Sequence, residues 1–373
     1  MPGVLDGLLV LDFSTLLPGP MATLFLAEAG AEVIKIERPG GGEEMRSYRP
    51  RWGNDSVNFA MLNRGKKSLA VDLKNDEQLT KLLAIIDRAD VLVEQFRPGV
   101  MDRVGLDYET LARRNPLLVY CSISGYGQWG PKRDRAGHDL NFVSDAGLLA
   151  LSMGTVTSPV VPPALIADIA GGAYPAALNI LLALRERDLT GKGCHLDIAM
   201  AENVFPFLYW ALGNGQATGA WPRPGSELVT GGSPRYHLYP TSDAKFIAAA
   251  PLEQKFWVKF AAAIGLEDRW RDDGEDPEGT TGRVAEIIRT KPAAYWAPVL
   301  ARADCCCSVV KTVEEAMDDP HFRARGIFDE RVANDEGDII SALPIPVSPR
   351  FRTRRGEALS APALGADNEE LLR

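Results

Sequence analysis

Apolar positions in the first third of the chain fall in short runs separated by longer periodic stretches. Leu8–Phe13 (LLVLDF) is a compact apolar run and Glu32–Glu37 (EVIKIE) alternates, and both spacings predict strands. Between them Gly19–Gly30 predicts a helix, with Pro20 near its start and Gly30 at its end. Ser68–Leu73, Asp90–Gln95 and Leu117–Ser124 continue the strand series, and Asp76–Ala89 and Asp107–Asn115 are amphipathic helices between them. Strands alternating with helices predict an α/β fold, a parallel sheet with helices on its faces.

Further along, Asp168–Asp188 reads as one long, largely apolar helix. Gly171, Gly172 and Pro175 sit in its first turns, where they cost least. Gly191–Met200 gives a turn and a strand. Trp221–Asp243, rich in Gly, Pro and Ser, is the best loop or linker candidate. Lys245–Ala250 predicts a strand, Leu252–Gly265 a helix, and further helices run to about Arg325. Residues 326–345 read as short strands, and Arg354–Arg373 as a polar loop with a short terminal helix. No internal repeat or low-complexity tract is present.

Composition narrows the function classes. The chain has 373 residues, enough for two domains or one elaborated one, with 46% apolar and 24% charged residues. No run of about 18 apolar residues occurs, which argues against a membrane span. The first residues, MPGVLDGLLVLDF, lack the basic region and small-residue cleavage site of a secretory signal. A net charge of −9 disfavours nonspecific nucleic-acid binding. Cys121, Cys194 and the run Cys305, Cys306 and Cys307 form no disulfide or zinc pattern, so reduced thiols in a cytoplasmic protein are expected.

Common motifs are missing. The RPGGGEE glycine run does not join a strand to a helix, and no GxGxxG or GxxxxGK[ST] occurs. SISGYG is not a GxSxG elbow. The four histidines, His138, His195, His237 and His321, are scattered without zinc-ligand spacing, so no metal is expected. Arg64, Lys66, Lys67 and Lys74 form a basic stretch, read as a solvated face or a phosphate-binding one.

Several segments carry a resemblance that runs nearly end to end. They include VLDFSTLLPGPMATLFLAEAGAEVIKIERPG, LNRGKKSLAVDLKN, EQFRPGVMDRVGLDYETL, CSISGYGQWGP, RAGHDLNF, ADIAGGAYPAALNILLAL, GKGCHLDIAM, TGGSPRYHLYPTSDAKFIAAAPLEQKF and PALGADNEELL. Together they resemble the class III CoA-transferase (CaiB/BaiF) family, and within it the α-methylacyl-CoA racemases. The resemblance implies a large Rossmann-like domain with a parallel sheet plus a smaller α+β domain, in an interlocked homodimer. On this chain the large domain would take residues 1–200, the small domain 201–325, and 326–373 would return to the large domain.

The resemblance also implies coenzyme A as a handle carried by the substrate, with no separate cofactor. Arg38, Leu73, Lys74, Gln95, Phe96, Arg97, Arg103, Gly137 and Asp139 match the family's CoA-contacting or orienting positions. The chemistry is consistent, because a polyanionic nucleotide needs cations and adenine needs an apolar slot. Each basic residue alone would be an ordinary surface charge.

Asp168 matches the family's catalytic aspartate. Read by itself it is an N-cap carboxylate stabilised by free backbone N–H groups. In the transferases the aspartate is a nucleophile that passes through an aspartyl-CoA thioester. In the racemases it is one of two acid/base groups; the other matches His138, and a glutamate pairing with that histidine matches Glu253. Removing a proton from one face of C2 and returning one to the other requires two such groups. Transferases of the oxalate type carry a glutamine where this chain has Leu17, and a longer glycine-rich flap than Thr230–Pro234. The expected activity is therefore inversion of C2 in 2-methylacyl-CoA thioesters. CoA transfer between carboxylic acids is the alternative, and a catalytically silent CoA-binding homologue a third reading. Tyr126, Tyr236 and His237 are weaker substrate-region candidates, whereas His195 and His321 read as structural.

Overall fold

The computed structural model describes residues 3–151, 160–353 and 356–373. The described residues form two compact units. The first takes residues up to Ala146, Ala164–Pro206 and His321–Arg373; the second takes Phe207–Pro320 together with the described part of Gly147–Pro163. The expected boundaries at 200/201 and 325/326 thus lie a few residues away. The chain also departs for the second unit directly after residue 146, an excursion that carries no composition shift in the sequence.

The first unit is built on a six-stranded parallel sheet. Its elements run β1 (Leu9–Asp12), α1 (Pro18–Glu28), β2 (Glu32–Glu37), a two-residue hairpin β3 (Arg51–Trp52) and β4 (Asp55–Ser56), α2 (Val57–Asn63), β5 (Lys67–Ala70), α3 (Asp76–Ile86), β6 (Val91–Glu94), α4 (Val100–Arg103), α5 (Tyr108–Arg114), β7 (Val119–Ser124), α6 (Asp139–Asp145), α7 (Tyr174–Thr190) and β8 (His195–Ala199). The strand order is β5-β2-β1-β6-β7-β8. Strands β1, β6 and β7 are buried at every position, as expected of a parallel sheet covered on both faces. Asn75, Ser56 and Asp107 cap α3, α2 and α5 by accepting N–H bonds from Gln78, Phe59 and Thr110 at 2.9–3.1 Å. Leu11, Ile34, Leu69, Leu82, Ile86, Leu92 and Leu106 form the core on one face of the sheet.

The long helix expected over Asp168–Asp188 is two things. Ala167–Ala173 is a π-helical segment, and the α-helical turns of α7 begin only at Tyr174. The cause is close packing. A Cβ on Gly171 would sit 2.5 Å from the carbonyl oxygen of Met200, so the segment can lie this near the end of β8 only with glycine there. Length and composition of Ala167–Thr190 would also suit a membrane span, yet half of its apolar window is buried within the described chain.

Two of the four cations in the basic stretch, Arg64 and Lys66, are turned inward and belong to neither a solvated face nor a phosphate site. Arg64 and Lys66 are buried; Arg64 pairs with Glu28 at 2.8 Å and Lys66 with Asp12 at 2.9 Å. The Lys66 ammonium also donates to the Pro20 carbonyl, Thr23 Oγ1 and Asn63 Oδ1, each at 2.9 Å. Burial opposes charge on Asp12, but Lys66, Lys35 and hydrogen bonds from Ser14 and Thr23 hold its carboxyl well below the usual range. This network fixes the turn after β1 to the start of α1.

The second unit contains α8 (Tyr209–Thr218), a three-stranded antiparallel sheet of β9 (His237–Pro240), β10 (Phe246–Ala249) and β11 (Cys307–Val309), and helices α9 (Gln254–Ile264), α10 (Pro277–Arg289), α11 (Ala293–Ala303) and α12 (Val313–Met317). Its core gathers Tyr239, Trp257, Phe260, Val284, Trp296 and Leu300. The returning segment adds α13 (Pro320–Ala324), β12 (Arg331–Ala333), β13 (Ile339–Ser341), β14 (Ala358–Ser360) and α14 (Asn368–Leu371). Asn368 clamps β5 by bonding the Ala70 N–H and carbonyl at 2.8 and 3.0 Å.

Replacing Asp12 with alanine strands the Lys66 ammonium in the interior. The expected loss is about 3–5 kcal/mol of unfolding free energy, read by urea denaturation, and a smaller loss for Asp12→Ala combined with Lys66→Met.

Candidate active site

In the sheet order, the chain runs one way from β1 to β2 and β5, and the other way through β6, β7 and β8. The turns leaving the carboxyl ends of β1 and β6 therefore diverge. A crevice at such a switch point is where open parallel sheets bind ligands. A cleft of about 440 Å³ opens there, lined by Thr15 and Leu16 after β1, Gln95–Pro98 after β6, Ser124 and Gly125 after β7, and Met200 after β8. Gly137, His138, Asn141, Phe142, Asp168, Arg133 and Arg135 complete the wall.

Each wall segment is held by a specific bond. Leu16 takes a left-handed backbone, φ 61°, that few non-glycine residues adopt. Its N–H donates to the buried Glu43 Oε2 at 3.1 Å, which keeps it there. The Gly19 N–H at the start of α1 donates to Gln95 Oε1 at 3.0 Å, joining the β1 and β6 turns. His138 stands at the N-cap of α6, where its N–H donates to Asn141 Oδ1 at 3.0 Å. A Cβ on Gly137 would lie 2.7 Å from the Phe142 ring, so glycine lets the chain pass over that ring and present His138.

Asp168 lies in the π-helical segment and is not an N-cap. Its backbone N–H donates to Asp139 Oδ1 at 3.0 Å, and Asp139 also accepts the Ala167 N–H. The expectation of a carboxylate stabilised by free N–H groups is corrected here. Burial, then the neighbouring Asp139 carboxylate, push the Asp168 carboxyl up to about 6, with the His138 ring pulling the other way. The His138 ring acts electrically on the Asp168 carboxyl, and the two line one cleft.

The cleft brings together Gln95, Phe96, Arg97, Gly137, His138 and Asp168. Asp139 is buried beneath it and grips backbone. Arg38, Leu73, Lys74 and Arg103 lie beyond the ends of β2, β5 and β6, outside the lining. Arg38 bonds the Gly42 carbonyl at 2.8 Å and pairs with Glu44 at 3.1 Å, while Leu73 and Phe96 pack on the same apolar core. Glu253 is the exposed N-cap residue of α9 in the second unit, and its carboxylate does not cap its own helix. Tyr126 donates to Asp145 at 2.8 Å, and His237 bonds the Gly231 carbonyl at 2.9 Å.

The model of CoA-transferase family III matches residues 5–368. The chain belongs to CoA-transferase family III. It is 35% identical to the α-methylacyl-CoA racemase of Mus musculus over 375 residues, 99% of this chain and 93% of the relative. It is 33% identical to the acetyl-CoA:oxalate CoA-transferase of Acetobacter aceti over 335 residues, 87% of this chain and 85% of the relative. A crystal structure of a CaiB/BaiF family protein from Brucella suis superposes with a TM-score of 0.83 at 27% identity, covering 100% and 99% of the two chains. At these identities both reactions of family III remain represented among the relatives.

Thr15, Leu16, Ser124, Asn141, Arg135 and Met200 lie in segments of the resemblance without a role of their own there, and Arg133 lies just outside one. Their signal is positional: they stand at or just past the carboxyl end of an expected strand, or within a few residues of His138. Arg133 and Arg135 are exposed on the approach to His138 and give the cleft a cationic wall with Arg97.

The raised Asp168 carboxyl has a consequence for stability. The folded state holds that proton more tightly than the unfolded chain, so stability is lost as pH rises from the unfolded carboxylate range through about 6. Asp168→Asn should therefore melt at a higher temperature than the wild type above about pH 6 and at the same temperature below about pH 4, by differential scanning calorimetry.

Proposed function

We propose that the chain is an acyl-CoA racemase or epimerase that inverts C2 of 2-methylacyl-CoA thioesters. The observation that carries this is one imidazole, His138, and one carboxyl of raised pKa, Asp168, on the wall of the same switch-point cleft. A one-base or nucleophilic reaction has no use for the histidine. Inversion needs one group to take the C2 proton and another to supply a proton to the opposite face, with an enolate between. A carboxyl poised near 6 is a better partner for this exchange near neutral pH than an ordinary surface aspartate. Asp139 serves by orienting Asp168, and Glu253 is assigned to the reaction on the resemblance.

Gln95, Phe96, Arg97 and the cationic wall supply what an acyl-CoA needs, an apolar slot beside positive charge. Arg38, Leu73, Lys74, Arg103 and Gly137 belong to the same assignment. The reaction calls for no metal and no redox group, and a cytoplasmic setting suits its substrate. The second reading is CoA transfer, for which the half-buried Asp168 carboxylate would be the nucleophile.

In deuterated water, 2-methylacyl-CoA should gain deuterium at C2 with no second acid present, followed by mass spectrometry. His138→Ala should lower that exchange by at least about 10²-fold. Exchange that appears only after an acceptor carboxylate is added, with a hydroxylamine-trappable acyl group on Asp168, would establish the transferase instead.

The active form is proposed to be a homodimer, interlocked as the resemblance implies. Leu178, Leu181, Leu182 and Leu189 project from α7 with their apolar surface exposed, and a groove there reaches Cys194 and Leu196. Light scattering should give twice the 40.5 kDa chain mass, and Leu178→Glu with Leu182→Glu should halve it.

A further inference from the structure

Beneath the Gln95–Arg97 segment lies a polar cluster that the proposed reaction does not use. Glu94, the last residue of β6, is almost wholly buried, and its Oε2 accepts the Phe96 N–H at 2.8 Å. The buried Ser122 hydroxyl on β7 reaches Glu94 on one side and His195 Nε2 on the other, the latter at 2.9 Å. His195, at the start of β8, stacks on Tyr108 at 5.2 Å and meets Tyr120 edge-on at 5.3 Å, which fixes the ring plane. A cavity of about 40 Å³ adjoins the cluster, and Arg97 lines both this cavity and the main cleft. Gln128 lines it too, and its buried Nε2 has no hydrogen-bond partner among the described residues.

We propose that Glu94, Ser122 and His195 form a proton-sharing chain in which Glu94 is a positioning residue for coenzyme A, holding the Gln95–Arg97 wall of the cleft. The proposal rests on the acyl-CoA reading above. At the alkaline end Glu94 is ionised, Ser122 donates its O–H to the carboxylate, and the neutral His195 imidazole donates Nε2–H to Ser122. On acidification a proton from solvent binds His195 Nδ1, the Nε2 proton passes to Ser122 Oγ and the serine proton to Glu94. Imidazole and carboxyl are then both neutral, and Ser122 donates to His195. The net change is one proton taken up from water. The ionised carboxylate makes a charge-assisted bond to the Phe96 N–H and attracts the Arg97 guanidinium, and the neutral acid does both more weakly.

The surroundings of the cluster favour a switch in the neutral range. Burial pushes the Glu94 carboxyl up to about 7, against the bonds from Ser122 and Phe96, with Asp102 on α4 and Asp197 on β8 adding to the rise. Burial lowers the His195 imidazole, against Asp197 and Glu109. Tyr120 on β7, and Asp107 and Tyr108 at the start of α5, also line the cavity beside the cluster, with Cys121 on the opposite face of β7, and burial pushes the Tyr120, Cys121 and Tyr108 groups up, which keeps them neutral. Arg97 is the cation on the segment itself.

Two measurements on the full chain test this. Proton NMR of the His195 ring should show a titration coupled to a second group, becoming a single step in Glu94→Gln and in Ser122→Ala. Calorimetry with free coenzyme A should show affinity falling about fivefold or more from about pH 8 to about pH 6 beyond whatever Glu94→Gln shows over the same range. Glu94→Gln should bind at the weaker level throughout, and Glu94→Asp should restore part of the dependence. Parallel pH curves for wild type and Glu94→Gln, or a His195 titration unchanged by either variant, would overturn the proposal. Coupled His195 titration without coenzyme A binding at any pH would overturn the acyl-CoA reading instead.

Discussion

One buried carboxylate, Asp139, holds the proposed chemistry in register. Its Oδ1 accepts the backbone N–H of Asp168, a residue 29 positions away, across the excursion that the chain makes into the second unit. His138 precedes Asp139 directly. His138 and Asp139, at the start of α6, thus present one of the two proposed proton carriers to the cleft and anchor the backbone of the other. A bond from a charged acceptor to a backbone donor is stronger and more directional than one between neutral groups. It ties the π-helical segment to α6. Asp139 also acts at a distance, because its negative charge contributes to the raised proton affinity of Asp168.

The π-helical turn and the glycine within it belong to the same constraint. Widened turns of this kind recur at functional sites because they rotate one side chain off the regular helix face. Here the widening coincides with the closest approach to Met200, which only a glycine at 171 permits. On the opposite wall, the Asp12–Lys66 pair fixes the turn after β1, and Glu43 holds the left-handed Leu16. The cleft walls are therefore backbone held by buried charges. Backbone held in this way is the geometry that electrostatic preorganisation requires.

Much of this was legible in the sequence, and the remainder was illegible for identifiable reasons. The parallel sheet followed from alternating strand and helix patterns, since apolar runs such as Val91–Val93 have no other home in a chain with amphipathic helices between them. His138 and Asp168 were found through the resemblance and share one cleft. The character of Asp168 was misread: a carboxylate opening an apolar helix is the pattern of an N-cap, and one-dimensional spacing carries no sign that Asp139 would already occupy the nearby N–H groups. Lys66 failed in the same way. A lysine between an arginine and another lysine looks solvated, and only the fold brings Asp12, Pro20, Thr23 and Asn63 around it just before β5. Glu94, Ser122 and His195 fall in three separate segments of the resemblance and no spacing links them, because they stand on three neighbouring strands and meet only across the sheet.

The energetic pattern links these buried groups. Glu94 and Asp168 are both carboxyls whose burial favours the neutral form; Asp168 lines the crevice, and Glu94 lines the small cavity that shares Arg97 with it. Asp12 is buried more completely, yet its carboxyl is driven the other way by Lys66 and Lys35. Burial alone therefore does not decide the charge of a group at this edge of the sheet; the presence of a cation does. The chain places Lys35 and Lys66 under the β1 turn, where buried ion pairs hold structure. No lysine stands among the main influences on Glu94 or Asp168, where the proposed reaction and the proposed proton-sharing chain need a proton that can come and go. A lysine moved next to Asp168 would fix its charge and steady the fold, and would remove the variable proton on which two-base chemistry depends.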